Sequence, residues 1–225
     1  MARYANLAKV RDQFKLKMIA ISDLIIYRKN NDKLVKREVE AVLPTKIGKF
    51  KIFGYSNLLD KKEHVAIMKG DKADNVPLVR LHSECLTGDV FHSLRCDCGE
   101  QLDNALTQIE KEGCGVVIYL RQEGRGIGLL NKLKAYQLQQ TGLDTVEANH
   151  QLGFAADLRE YLLAAQILHD LGITMVRLIT NNPHKIKELE SYGIEVVEII
   201  KQESTKHPEN TEYLSTKSKK LGHYL

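Results

Sequence analysis

From Leu78 onward, short runs rich in valine, isoleucine and leucine alternate with longer stretches whose apolar residues recur every three or four positions. The short runs cover residues 78–82, 116–120, 175–180 and 194–200, and each reads as a strand. Between them, helical stretches cover 101–111, stopped by Gly113, and 129–140, closed by Gly142. A further helix is expected over 155–171, with Leu158, Leu162, Ala165 and Leu168 on one stripe, and another opens at Pro183 and ends before Gly193. Upstream, Val39, Ala41 and Leu43 alternate, as do Phe50 and Ile52, which predicts two strands around residues 44–48. Residues 64–68 form a third candidate strand, ended by Gly70-Asp71. A strand-like run at 19–27 gives way to a helix start at Ser22 or Asp23. Strand and helix in alternation require an α/β fold, and the expected architecture is a central mixed sheet flanked by helices.

Composition narrows the function. No apolar run of the 225 residues approaches the roughly 18 needed to span a bilayer, and the N-terminus lacks a secretory h-region. A cytoplasmic location away from membranes is expected. The net charge of +4 suits a small anionic substrate better than nucleic acid. Tryptophan is absent and aromatic residues are only 6%, which disfavours a stacking platform for single strands. The basic run Lys217-Ser218-Lys219-Lys220 reads as a solvated tail.

Three of the four cysteines, Cys85, Cys96 and Cys98, fall within fourteen residues, with the spacing C-x10-C-x-C. Clustered thiolates in a chain without a leader point to metal, and soft sulfur ligands favour zinc. Two sites fit. Three thiolates leave a fourth position for water, as in catalytic zinc, whereas His82, His92 or Cys114 as fourth ligand would close a structural site. Spacing alone does not choose, although Cys114 precedes a buried strand and reads as a core thiol.

Gly124, Gly126 and Gly128 lie between a buried strand and a helix, where backbone N–H groups can approach an anion. The pattern matches neither a dinucleotide fingerprint nor a Walker loop, and a glycine-rich turn is often only a turn. Glu123 and Arg125 at its mouth give it chemistry: a carboxylate accepts paired N–H donors of guanine, and a guanidinium grips phosphate. At Thr180-Asn181-Asn182-Pro183-His184-Lys185, a strand ends and a helix begins; an anion site and ordinary capping by Asn181 or Asn182 both fit.

Several motifs together resemble the GTP cyclohydrolase II family. They are Arg80-Leu81-His82-Ser83-Glu84-Cys85-Leu86-Thr87-Gly88-Asp89 with Ser93-Leu94-Arg95-Cys96-Asp97-Cys98-Gly99, then Arg121-Gln122-Glu123-Gly124-Arg125-Gly126-Ile127-Gly128-Leu129, Asp144-Thr145-Val146-Glu147-Ala148-Asn149, and Leu178-Ile179-Thr180-Asn181-Asn182-Pro183. The similarity runs from about residue 43 to the end of the chain. The resemblance implies a hydrolase that converts GTP to 2,5-diamino-6-ribosylamino-4-pyrimidinone 5′-phosphate, formate and diphosphate, entering riboflavin synthesis. It implies zinc on Cys85, Cys96 and Cys98, magnesium on the triphosphate, and a homodimer. It implies GTP contacts at Arg80, Leu81, His82, Ser83, Glu84, Gln101, Glu123, Gly124, Arg125, Thr145, Thr180 and Lys185. It assigns Asp157 as general base, Arg159 as nucleophile on the α-phosphate and Tyr136 to ring opening.

Chemistry supports part of that assignment. C8 of guanine is a poor electrophile, and zinc lowers the pKa of a water it holds to about 7. Tyr136, on the helix after the glycine loop, could orient water or protonate a ring nitrogen; without the resemblance it would read as a core tyrosine. Arginine stays protonated and is a weak nucleophile, so stabilisation of the transferring phosphoryl charge is the rival role for Arg159. Asp157 and Arg159 are expected in the first turns of the helix over 155–171, with Leu158 facing the core. A non-catalytic zinc and nucleotide module, or a relative releasing a formylated pyrimidine, are the alternatives. Met1-Ala2-Arg3, Ile21-Ser22-Asp23-Leu24-Ile25 and Tyr27-Arg28 resemble the end of dihydroxybutanone phosphate synthase. Residues 1–40 are therefore expected to be a remnant of that domain or an N-terminal extension, and 41–225 the cyclohydrolase domain.

Overall fold

A computed structural model describes residues 3–70 and 75–224. The chain divides into two compact units between Lys33 and Leu34. The first holds helix α1 (Tyr4–Phe14), closed by Lys15 in a left-handed conformation, and helix α2 (Ile21–Asn31). Neither helix contains a buried residue. The run at 19–27 is mostly helix: α2 starts at Ile21 on an Ala20 cap, with Asp23 in the favourable first turn instead of at the cap. Met1, Ala2 and the Asp71 expected to end the third strand lie outside the described residues.

The second unit is built on strands β1 (Val35–Pro44), β2 (Lys49–Asn57), β3 (His64–Lys69), β4 (Leu78–Ser83), β5 (Gly115–Leu120), β6 (Met175–Ile179) and β7 (Glu195–Ile200). They form one mixed sheet in the order β1-β2-β3-β5-β4-β6-β7. The first three strands and β5 pair antiparallel, while β5, β4, β6 and β7 run parallel. The β1–β2 hairpin closes at Pro44 opposite Lys49, where the Thr45 hydroxyl accepts the amides of Ile47 and Gly48.

Successive residues of a strand point to opposite faces, and here each face has its own core. Val116, Ile118 and Leu120 of β5 pack with helix α7 (Leu162–Asp170), whereas Val117 packs with Ala105 and Ile109 of helix α4 (Cys98–Glu112). Gly113, at φ 76, ends α4 as its left-handed cap. Shorter helices α3 (Leu86–Asp89), α5 (Leu129–Gln139), α6 (Thr145–Gln151), α8 (Pro183–Ser191) and α9 (Thr211–Leu221) complete the unit. An Asp144/Glu147 capping box starts α6, and the Asn182 side chain accepts from His184 N at 2.9 Å to start α8. Among the described residues no helix is long and apolar enough to cross a membrane.

Three expectations are corrected. The helix expected over 155–171 begins only at Leu162, so Asp157 and Arg159 sit in an irregular segment. The Asp157 carboxylate accepts the Arg159 amide at 3.0 Å, a local turn that competes with helix. Leu158 is 48% exposed and does not face the core. The run at 217–220 is not a solvated tail either: it belongs to α9, where Lys217 is buried against Asp97 and Lys220 pairs with Asp144 and Glu147.

Candidate active site

The carboxyl ends of β4, β5 and β6 open onto one cavity of about 430 Å³. Cys85 follows β4 and starts α3; Cys98 is the first residue of α4, and Cys96 precedes it by two. The three sulfurs all lie within 4.8 Å of one another, with Cys85 Sγ and Cys96 Sγ 3.6 Å apart. Thiolates on a tetrahedral zinc at about 2.3 Å stand about 3.8 Å apart, so the cluster fits the ion. Gly88 makes the room: a Cβ there would lie 3.0 Å from Cys96 Sγ and 3.2 Å from Cys85 Sγ. His82, His92 and Cys114 do not join the cluster. His82 is held by Asp89 at 3.0 Å, His92 is exposed, and Cys114 sits half-buried just before β5, at the other end of that strand. Among the described residues the cluster comprises three sulfurs and no histidine or carboxylate.

Electrostatics around the sulfurs favour thiolate at Cys85 and hold the Cys96 and Cys98 thiols protonated. Hydrogen bonds from the Cys96 and Cys98 thiols hold the Cys85 pKa far down, and the same sharing pushes Cys96 up to about 11. Lys132, on α5, donates to Cys85 Sγ at 3.1 Å and to Glu123 Oε1 at 2.8 Å. Burial opposes the charge of Lys132, but the Cys85 sulfur and Glu123 outweigh it and raise its pKa. Tyr136, one turn further on α5, shares a hydrogen bond with the Thr87 hydroxyl at 3.1 Å, and its ring lies 5.0 Å from the Arg95 guanidinium. Burial raises its pKa, so the phenol keeps its proton at neutral pH.

Cations converge on the rest of the cavity. Arg80, buried on β4, donates to Ile179 O at 3.1 Å and to Gln101 Oε1 at 2.5 Å, and its Nε has no partner. The glycine loop forms a tight turn (Glu123–Gly126) in which Gly124, Arg125 and Gly126 all take positive φ. At φ 58, Arg125 is in a region that L-residues other than asparagine and aspartate seldom occupy, a strain typical of functional positions. Both terminal nitrogens of Arg125 are buried without a hydrogen-bond partner. Lys185, in the first turn of α8, reaches back to Leu81 O at 2.6 Å. Burial, then the charges of Arg80 and Arg159, hold its pKa well below the usual lysine range. An anion in the cavity would relieve that penalty.

The profile of the family described as GTP cyclohydrolase II matches residues 36–201. The chain belongs to the GTP cyclohydrolase II family. It is 59% identical over its whole length to a protein of Bacillus cytotoxicus named riboflavin biosynthesis protein RibBA, and 60% identical to the protein of that name in Bacillus mycoides. The chain spans 57% of the length of each. A crystal structure of RibBX from A. baumannii, a two-domain 3,4-dihydroxy-2-butanone 4-phosphate synthase, shares the fold at TM-score 0.51 and 25% identity, over 90% of this chain and 51% of that one.

The structure brings most family-matched residues to the cavity wall. His82, Ser83, Glu84, Gln101, Glu123, Gly124, Thr145 and Thr180 line it, as do Arg80, Arg125, Arg159, Lys185, Tyr136 and the three cysteines. Leu81 does not: its side chain is fully buried in the core, leaving only its carbonyl, which Lys185 occupies. Asp157 stands behind the wall, paired with Arg159. Glu123 is 8% exposed, and its carboxylate already accepts from Leu86 N, Gly124 N and Lys132 Nζ.

Several GTP cyclohydrolase II residues with clear contacts went unread in the sequence. Asp89 accepts from Tyr119 OH at 2.7 Å and Cys85 N at 2.9 Å besides holding His82, which stacks on Tyr119. Lys132, Arg95, Tyr213, Lys217 and His223 also line the cavity. Burial holds His223 down to about 3, so it adds a neutral imidazole to a basic wall. A lysine three residues into the helix after the glycine loop was the available signal for Lys132, and Asp89 and Arg95 lie within the cysteine motif; nothing local marks Tyr213, Lys217 or His223.

Proposed function

We propose that the protein hydrolyses GTP to the diaminopyrimidine nucleotide, formate and diphosphate, the opening reaction of riboflavin synthesis. One observation supports this reading beyond family membership: a three-sulfur cluster and Arg125, whose two buried terminal nitrogens lack hydrogen-bond partners, open on the same cavity. A purine ring at the sulfurs and a triphosphate at the cations would match both.

Cys85, Cys96 and Cys98 would hold zinc, whose Lewis acidity activates water toward C8 of guanine. The chain's own residues do the rest. Tyr136, half-buried and protonated, offers its phenol as a proton donor beside the cluster, with Thr87 fixing its direction. Arg125, Arg80 and Lys185 take the anionic end, and the network behind Arg80 keeps its guanidinium in place. Arg159 is held by Asp157 through Nε at 2.9 Å and Nη2 at 2.5 Å. Burial works against that charge, yet Tyr161 and Asp157 outweigh it and raise the pKa. A guanidinium locked in its charged form is suited to stabilising phosphoryl charge and unsuited to attack. Magnesium would ride on the phosphate oxygens, where it needs few protein ligands. A homodimer in the cytoplasm completes the proposal.

The test is direct. Incubation with GTP and magnesium in zinc-replete buffer should yield formate, diphosphate and the diaminopyrimidine in equal amounts. Release of a formylated pyrimidine, or of no product, would replace this reading with one of the alternatives.

We also propose that the first unit is dispensable for turnover, as expected for a domain remnant or extension. The division between Lys33 and Leu34 supports this reading, as does β1, which begins at Val35 and pairs with β2. Deleting residues 1–33 should leave GTP turnover within about twofold and the unfolding midpoint within a few degrees, about 1 kcal/mol. Loss of folding or of turnover would show that these helices are integral to the cyclohydrolase unit.

A further inference from the structure

The residue between two of the thiolates is itself anchored to the far end of the chain. Asp97, flanked by Cys96 and Cys98, is 2% exposed and is the N-cap of α4. Its carboxylate accepts from Lys217 Nζ at 2.5 Å, Ser204 Oγ at 2.6 Å and Gln101 Nε2 at 2.7 Å. Gln101 in turn accepts from Arg80 at 2.5 Å. Lys217 is 7% exposed and lies 4.7 Å from the ring of Tyr213, one turn earlier on α9. The Tyr213 ring also faces the Arg125 guanidinium, 5.8 Å away. Helix α9 thus touches the sulfur loop through Asp97 and the anion side through Tyr213, and both of its residues line the cavity.

A buried lysine at this position needs a reason, since an ammonium removed from water is costly unless paired. The pairing partner is no surface carboxylate but the residue that sets the backbone between two metal ligands. Outer groups that fix ligand loops govern how tightly a metal is held. We propose that Lys217 is a positioning residue for zinc: through Asp97 it holds the Cys96–Cys98 loop in ligating geometry and, through Gln101, keeps Arg80 aimed at the substrate. This makes α9 a working wall of the site. The proposal rests on the zinc reading of the three cysteines.

The experiment measures zinc retention against a chromophoric chelator, alongside GTP turnover and circular dichroism. Wild-type protein should hold about one zinc per chain; if it holds none, the zinc reading fails first, and this proposal falls with it. Lys217→Met keeps the length and apolar stem but removes the charge. It should lose zinc about 10–100-fold more readily while keeping wild-type helix content. Lys217→Arg should recover most of that retention. Lys219→Met, on the exposed side of the same helix, should match wild type. Should Lys217→Met fail to fold, Ser204→Ala removes a single Asp97 hydrogen bond and should show a smaller loss of the same kind. Wild-type zinc retention in a folded Lys217→Met, or a Lys217→Arg no better than the methionine variant, would overturn the proposal.

Discussion

Replacing Cys96 by serine will empty the metal site and stop formate release while leaving the fold in place. The wild-type chain should carry about one zinc, measured by elemental analysis, because three sulfurs within 4.8 Å satisfy three of four tetrahedral positions. Serine is a hard, neutral ligand that zinc does not favour over water, and two thiolates alone cannot match the cluster's charge. Formate release should fall by at least about 100-fold, the scale seen when a single electrostatic contributor to catalysis is removed. Folding should survive, since the core strands and helices α4 and α7 pack independently of the sulfur loop. Gly88→Ala extends the test without removing a ligand: its Cβ would press on both Cys96 Sγ and Cys98 Cβ, and should weaken zinc binding. A Cys96→Ser protein that opens the guanine ring at full rate without zinc would end the catalytic role of the cluster.

What could be read in the sequence follows physical range. The parallel strands were legible because β5 is buried on both faces and appears as an apolar run, while β4 and β6 keep mostly apolar residues around Arg80 and Arg177. The sulfur cluster was legible because its three cysteines come from one short segment. The segment around Asp157 misled because Leu158 stands one helical turn before Leu162 and seems to continue its stripe. The contact that decides otherwise is the bond from the Arg159 amide to the Asp157 side chain, with Leu158 N bonded across to Arg125 O. The run at 217–220 was read as a solvated tail because its lysines look solvated in isolation. Lys217 is buried only because Asp97 lies 120 positions earlier, and no local pattern encodes a partner that distant. Asp89 was missed for a related reason: its partners His82 and Tyr119 lie on adjacent parallel strands, in register with each other.

The two halves of the chemistry should separate under mutation. Arg159→Ala removes the guanidinium proposed to face the α-phosphate and leaves the half-buried Asp157 carboxylate without its ion pair. Diphosphate release should fall by about 10²–10³-fold, and the variant should also lose some stability, because a partly desolvated carboxylate is left without its partner. Tyr136→Phe should behave in the opposite sense. Its ring stays packed beneath Arg95, but the phenol that bonds Thr87 is gone, so formate release should slow by about 100-fold while diphosphate release continues. Rapid-quench experiments with GTP labelled at the α-phosphate decide the role of Arg159. If the guanidinium stabilises charge, no phosphate becomes covalently attached to it, and diphosphate appears in a single exponential. The geometry favours that outcome: two of the three guanidinium nitrogens are bonded to Asp157, and deprotonating the group would forfeit the ion pair inside a buried site. A trapped phospho-Arg159 species would reverse the assignment and require Asp157 to act as the base. Rapid diphosphate release by Arg159→Ala would remove the residue from both roles, and equal loss of both products in Tyr136→Phe would show that ring opening and phosphate cleavage do not draw on separate groups.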